Sequence, residues 1–388
     1  MHVIRRAIEA MEDSPIIEVW RMGFSTPDVI GLWAGEPDLP TPQFICEPAM
    51  TALFAGETFY SQNRGIPPLR AALAGYLRRL YRVEVTDERI AMTSSGMNAV
   101  TLVAQAVIEP GDAAVVVTPS WPNIVRALAV VGARVDEVAL IAGPAGWRLD
   151  LDRLFAACRA RTKLIYFASP ANPTGWMLEP PQAQDLLDFA RQNGIAILAD
   201  EVYHRLVYDR PVAVSMLEIA RQDDPVFIVN SFSKSWAMTG WRMGWLIYPA
   251  GCSDAFEKLI QFSTSGGQAF LQHGAIAALR DGEPFVRHFV ARCRAGRDIV
   301  NARLAAMPRA RVVPNRASFY SMFEVEGMAD TLQFCKRAVT RAKVGMAPGI
   351  AFGKGAERLV RICYAKSPEL LHAAMDRLAP FVADYREA

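Results

Sequence analysis

Lys234 stands in the run Ser231-Phe-Ser233-Lys234-Ser-Trp-Ala-Met-Thr-Gly240-Trp-Arg242-Met-Gly244, directly after an apolar stretch at 226–229. A lysine on a loop at a strand's carboxyl end, with two hydroxyls beside it and an arginine eight residues on, suits one task. Its amine can form a Schiff base while the hydroxyls and the guanidinium hold a phosphate close by. A second segment, Thr93-Ser94-Ser95-Gly96-Met97-Asn98-Ala99, opens a helical pattern after a strand near Ile90. Backbone N–H groups at a helix start form a ready anion site, so Ser95, Gly96 and Met97 are expected at the same phosphate as Ser231, Ser233 and Arg242. Taken singly, a solvated surface Lys/Arg pair is the heavily favoured reading of the first segment, and a plain capping box is a common reading of the second.

Other signatures fail. Gly349-Ile-Ala-Phe-Gly353-Lys354-Gly355 lacks the first glycine and the final Ser/Thr of a phosphate loop, because Pro348 and Gly355 occupy those places. No G-x-S-x-G elbow occurs. The histidines (His2, His204, His273, His288, His372) show no metal spacing. The cysteines (Cys46, Cys158, Cys252, Cys293, Cys335, Cys363) form no C-x-x-C pair and read as reduced thiols of a cytoplasmic protein. With 42 basic against 40 acidic residues and no Lys/Arg tract, nothing suggests a nucleic-acid partner. The start of the chain lacks an apolar signal core, and the longest uncharged run, 259–279, is too polar for a bilayer.

The elements that must position these groups follow from periodicity. Apolar runs of strand length recur at 113–117, 163–167, 195–199 and 226–229, separated by helix-period stretches such as 181–192. Such alternation implies an α/β fold, a mostly parallel sheet covered by helices. Beyond about residue 285 the pattern changes to long helices near 285–307 and 329–342 around a short strand at 319–325. The expected division is a large domain over 48–285, with 1–47 and 286–388 forming a smaller α+β domain. Ligands of open α/β sheets sit at the carboxyl ends of the strands, where the polar residues closing each apolar run are found.

The string around Lys234 resembles the cofactor attachment site of class I pyridoxal-phosphate-dependent aminotransferases. Three further segments are similar to that family, in order along the chain: Gly35-Glu-Pro-Asp-Leu-Pro-Thr-Pro42, Ser169-Pro-Ala-Asn172-Pro173-Thr-Gly175 and Asp200-Glu-Val-Tyr203. The likeness runs from about residue 29 to the end of the chain. It implies fold type I and pyridoxal 5'-phosphate on Lys234. Asp200 would then keep the ring nitrogen protonated, Asn172 and Tyr203 would lie at the phenolic oxygen, and Trp121 would stack on the ring. The resemblance also implies Arg361 and Gly35 on the amino-acid substrate, and a homodimer in which Tyr60 reaches the neighbour's phosphate. The expected reaction moves an amino group between an L-amino acid and a 2-oxo acid. A β-eliminating lyase shares its first steps, and a ligand-sensing module could keep the same fold. Aspartate-specific members add a cation for the second carboxylate. Here 259–279 holds no Lys or Arg, Thr264 falls near one such place and Met97 at another. A neutral or apolar substrate is therefore expected in one half-reaction, unless Arg64 or another mobile arginine swings in.

Overall fold

The computed structural model describes residues 3–387, so His2 lies outside the described residues. Seven strands build the main sheet: β1 (Ile90–Thr93), β2 (Ala113–Thr118), β3 (Arg134–Ala139), β4 (Thr162–Ala168), β5 (Ala196–Asp200), β6 (Val226–Ser231) and β7 (Gly244–Ile247). Their spatial order is β1-β7-β6-β5-β4-β2-β3. Neighbours pair in parallel except β7, which is antiparallel to both β1 and β6. β2, β5 and β6 are buried along their whole length, which explains why they read as continuous apolar runs rather than alternating ones.

The helices that bear on the site are α1 (Pro15–Ser25), α2 (Gln43–Phe54), α3 (Gly96–Val107), α4 (Pro180–Asn193), α5 (Ala269–Asp281) and α6 (Glu283–Ala305). α4 ends where the sequence predicts, on Gly194 in the left-handed conformation at φ 61°. α2 runs through residue 48 and α6 through residue 285 without a break.

A second, antiparallel sheet has the order β8-β9-β11-β10, made of β8 (Ala310–Val313), β9 (Tyr320–Val325), β10 (Ala347–Pro348) and β11 (Val360–Cys363). The amino-terminal segment joins this body. Ile30–Gly31 pairs in parallel with Val344–Gly345, and the Cys363 amide donates to the Leu32 carbonyl. The same segment then crosses to the main sheet. Asp38 accepts from Arg292 of α6 at 2.6 Å and from the Ser367 amide at 2.7 Å, whereas Thr41 Oγ1 donates to the Ala237 carbonyl at 2.7 Å. Residues 30–42 thus strap the two sheets together over the carboxyl ends of β5 and β6. Among the described residues no helix is long and apolar enough to cross a membrane.

Candidate active site

The antiparallel strand is what gathers the site. β6 ends at Ser231, and β7 starts at Gly244 paired with both Ser231 and Thr93. The whole loop 232–243 therefore turns back at the edge where β1 delivers its helix. Gly244 is required there, because a Cβ would stand 2.6 Å from the Gly96 nitrogen and 2.7 Å from the Ser95 carbonyl carbon. Arg242, two residues earlier, has the left-handed backbone (φ 53°) that reverses the chain into β7.

A cleft of about 440 Å³ opens at this edge, between the two sheets. Lys234, Asp200, Tyr203, Asn172 and Arg361 all line it, as do Gly35 and Trp121. Gly96, Met97, Ser231, Ser233 and Arg242 line it too. Ser95, expected beside them, does not line the cleft. Ser95 Oγ accepts from the Asn98 amide at 3.0 Å, so its hydroxyl is used as the cap of α3. Tyr60, expected at the neighbour's phosphate rather than here, is 95% exposed and does not line this cleft.

Lys234 Nζ donates to the Gly35 carbonyl at 2.7 Å and lies 5.9 Å from the ring centres of Tyr203 and Phe319. Burial among these groups pushes its amine down to about 8. About a quarter of the amine is then neutral at pH 7.5, against about one part in a thousand for an ordinary lysine, and only the neutral amine is a nucleophile. Asp200 accepts from Tyr166 Oη at 3.0 Å and from the Val202 amide at 3.3 Å. Burial outweighs both donors and the nearby Lys234, raising its carboxyl to about 6. Arg361 is 3% exposed, donates to Asn172 Oδ1 at 2.9 Å and to the Trp33 carbonyl, and lies between the rings of Tyr320 (4.4 Å) and Phe352 (4.8 Å). Its Nε is buried without a partner. The Tyr203 and Tyr320 hydroxyls stand 2.7 Å apart.

The family model for aminotransferase class I and II matches residues 27–378. The chain belongs to that family. It is 32% identical to an aspartate aminotransferase of Pyrococcus abyssi, over 96% of each chain. It is 30% identical to an aromatic-amino-acid aminotransferase of Thermococcus litoralis, also over 96% of each. Among solved structures it is similar to the aspartate aminotransferase of Thermus thermophilus, with a TM-score of 0.91 and 30% identity, covering 98% of this chain and 100% of that one. The chain is a pyridoxal-phosphate-dependent aminotransferase, and its fold is the α/β fold of that group.

The donors present fit the cofactor. Gly96 and Met97 open a twelve-residue helix, so their amides lack intrahelical acceptors and suit a phosphate. Ser231, Ser233 and Arg242 line the same cleft, with Ser231 Oγ donating to Ser233 Oγ at 2.9 Å and Arg242 to the Thr239 carbonyl at 2.8 Å. A buried carboxylate with no guanidinium partner suits a protonated ring nitrogen, and a depressed lysine suits an aldehyde.

Several lining residues were not legible in advance. Tyr166 lies inside β4 and looks like core, and Tyr320 opens β9 and looks the same. Ile16, Ile17 and Trp20 of α1 and Trp33 form an apolar wall. The spacing of Ile16, Ile17 and Trp20 along α1, behind Pro15 at the first helical turn, is the signal that points to this amphipathic helix.

Proposed function

We propose that the enzyme takes a neutral or apolar L-amino acid in one half-reaction, bound by its α-carboxylate at Arg361. The observation that carries this is the cation inventory of the cleft. Among the described residues its lining holds three cations, Lys234, Arg242 and Arg361, and the reading gives each a use elsewhere than at a side-chain carboxylate. Arg64 is engaged with Glu257 at 3.3 Å and with the Glu88 carbonyl at 3.0 Å, outside the cleft. The wall beyond Arg361 is Ile16, Ile17, Trp20 and Trp33. A second carboxylate would be desolvated there without a partner, at a cost of about 2–5 kcal/mol.

When bound, pyridoxal phosphate supplies an electron sink for the carbanion formed at the substrate Cα. Lys234 would hold it covalently and, once released by the substrate amine, take the Cα proton and return it as general base and acid. Asp200 would hold the proton on the ring nitrogen. Asn172 and Tyr203 would direct donors at the phenolic oxygen, and Trp121 would cover one face of the ring. Gly96, Met97, Ser231, Ser233 and Arg242 would hold the phosphate, with Ser95 contributing by capping the helix rather than by contact. Asn172 also carries Arg361, which ties the carboxylate clamp to the cofactor's position. Gly35 would keep Lys234 aimed through its carbonyl.

We also infer a cytoplasmic homodimer, with 48–285 as the cofactor-binding body against 1–47 and 286–388. Phe59 (86% exposed) and Tyr60 sit on a loop tied to the Gly267 carbonyl by Ser61 at 2.8 Å, and Phe262 in the helix before Gly267 is 81% exposed. Exposed aromatics such as these support burial against a second copy, which would bring Tyr60 to the other cleft.

The test of the substrate reading compares kcat/KM for aspartate, glutamate, alanine, leucine, methionine and phenylalanine. Leucine, methionine or phenylalanine should exceed aspartate by at least about tenfold. Aspartate leading the series by that factor overturns the reading.

A further inference from the structure

Tyr320 is 1% exposed, and its contacts converge on groups that the proposed chemistry uses. Its hydroxyl meets that of Tyr203 at 2.7 Å, and its ring lies 4.4 Å from the Arg361 guanidinium carbon. A Cβ on Gly35 would come within 2.0 Å of its hydroxyl oxygen, so the strap carrying the Lys234 acceptor is shaped around it. Filling the core needs no hydroxyl at this point. Phe319, the preceding residue, is fully buried with none.

We propose that Tyr320 is a positioning residue, whose hydroxyl donates to Tyr203 so that the Tyr203 proton is left free for an acceptor in the cleft, and whose ring supports Arg361. This rests on the reading that Lys234 carries the cofactor with Tyr203 at its phenolic oxygen.

Each hydroxyl has one proton, and a single hydrogen bond joins the two. If Tyr203 donated to Tyr320, its proton would be used up and only lone pairs would face the cleft. If Tyr320 donates, Tyr203 keeps its proton available, and two O–H groups in series polarise one another. The surroundings favour the second arrangement. Burial raises both hydroxyls above the usual tyrosine range, but the Arg361 guanidinium carbon stands 4.4 Å from the Tyr320 ring centre, whereas the cation over the Tyr203 ring, Lys234, is 5.9 Å away. The closer cation polarises the Tyr320 O–H more and makes it the better donor of the two. The other charged or titratable groups facing the pair are Cys363 of β11 and Glu36 of the strap.

The experiment uses the loaded enzyme and reads the absorbance of its bound cofactor against pH, in wild type, Tyr320→Phe, Tyr203→Phe, the double variant and Tyr320→Leu. Borohydride reduction and peptide mapping accompany each. A donor at the phenolic oxygen favours its ionised form and lowers the pKa of the cofactor–lysine linkage, so weakening that donor raises it. Tyr320→Phe should move this pKa up by about half a unit to one unit, leaving KM for the amino acid within about twofold. Tyr203→Phe should shift it further in the same direction, and the double variant no further than Tyr203→Phe alone. Tyr320→Leu should add a rise in KM through loss of the ring under Arg361. An unshifted pKa in Tyr320→Phe, with the cofactor mapped to Lys234, overturns this inference alone. So does a Tyr320 effect that persists in full without Tyr203. Mapping to another lysine overturns the reading of Lys234 and this inference with it.

Discussion

Replacing Asp200 with asparagine should move the stability of the cofactor-free protein and the activity of the loaded enzyme in opposite directions. Asp200 is 5% exposed and has no guanidinium beside it, only Tyr166 Oη and the Val202 amide as donors. Burial raises its carboxyl from 3.8 to about 6. A carboxyl whose folded pKa is raised binds its proton more tightly in the folded state. Its stability contribution is therefore present at acid pH and is lost as pH rises from 3.8 through about 6. A shift of that size corresponds to about 3 kcal/mol at neutral pH as an upper bound. Asparagine carries no charge to desolvate, although its single oxygen must serve two donors. A net gain of about 1–2 kcal/mol, or roughly 2 °C in melting temperature for a chain of this length, is expected above pH 7. The gain should vanish near pH 4, where aspartate is protonated.

The loaded enzyme should show the reverse. An asparagine cannot balance a positive ring nitrogen, and loss of one partner from a buried charge pair costs about 3–5 kcal/mol, or two to four powers of ten in kcat. Differential scanning fluorimetry of the cofactor-free proteins at pH 4 and pH 8, with single-turnover absorbance of the loaded ones, reads both effects. Near wild-type turnover, or a variant that melts lower at pH 8 than at pH 4 relative to wild type, refutes the assignment of an unpaired carboxylate awaiting a cation.

Other substitutions separate the remaining roles. Lys234→Ala should abolish borohydride-stable labelling by the cofactor, and peptide mapping of wild type should place the label on Lys234 and nowhere else. Arg361→Lys should raise KM for the amino acid by about 10–100-fold with a smaller change in kcat, because lysine offers no planar fork to a carboxylate. Mixing inactive Tyr60→Phe and Lys234→Ala subunits should restore activity in heterodimers that contain one site free of both changes; failure in verified heterodimers argues against shared sites. Glu201, held by Ser215 Oγ at 2.7 Å and the Met216 amide at 2.9 Å, is raised by burial from 4.5 to about 8, so Glu201→Gln should melt above wild type at pH 9 and the gap should close by pH 4.

What the sequence disclosed about this site depended on how local each piece was. Ser231, Ser233, Lys234 and Arg242 lie within twelve residues, so their types and spacing carry the chemistry without any fold. Asn172, Asp200 and Trp121 follow apolar runs, and a parallel sheet brings such run ends to one edge. Arg361 and Gly35 have no such local logic, and their place is legible only through the family resemblance. Tyr166 and Tyr320 are illegible for a different reason. A tyrosine on a wholly buried strand has the same pattern as core, and its hydroxyl partner belongs to a distant element. The direction of β7 is also hidden, since a four-residue buried strand carries no mark of whether it runs with or against its neighbours.

That direction matters for the electrostatics. A parallel β7 would have put its amino end, and Arg242 with it, at the opposite edge of the sheet from Ser231. Because β7 is antiparallel, Arg242 lies at the Ser231 edge on the same loop as Lys234, while Arg361 arrives from the other sheet. Three cations thus enter one cleft, two from the loop 232–243 and one from β11, against Asp200 and Glu36 as the anions of its lining. On the proposed reading a phosphate takes Arg242, a substrate α-carboxylate Arg361 and an aldehyde carbon Lys234. A dicarboxylic amino acid brings a fourth demand, which only the neighbouring subunit or an imperfectly solvated carboxylate could meet, and the apolar wall of α1 with Trp33 is poorly suited to the latter. The aspartate-to-leucine ratio in wild type, measured again in Trp20→Ala, tests this directly. Removing the indole should lower kcat/KM for leucine and phenylalanine by about 5–50-fold while changing alanine little, as loss of buried apolar contact predicts. An equal loss for all substrates would show that α1 supports the fold of the cleft rather than the substrate's side chain.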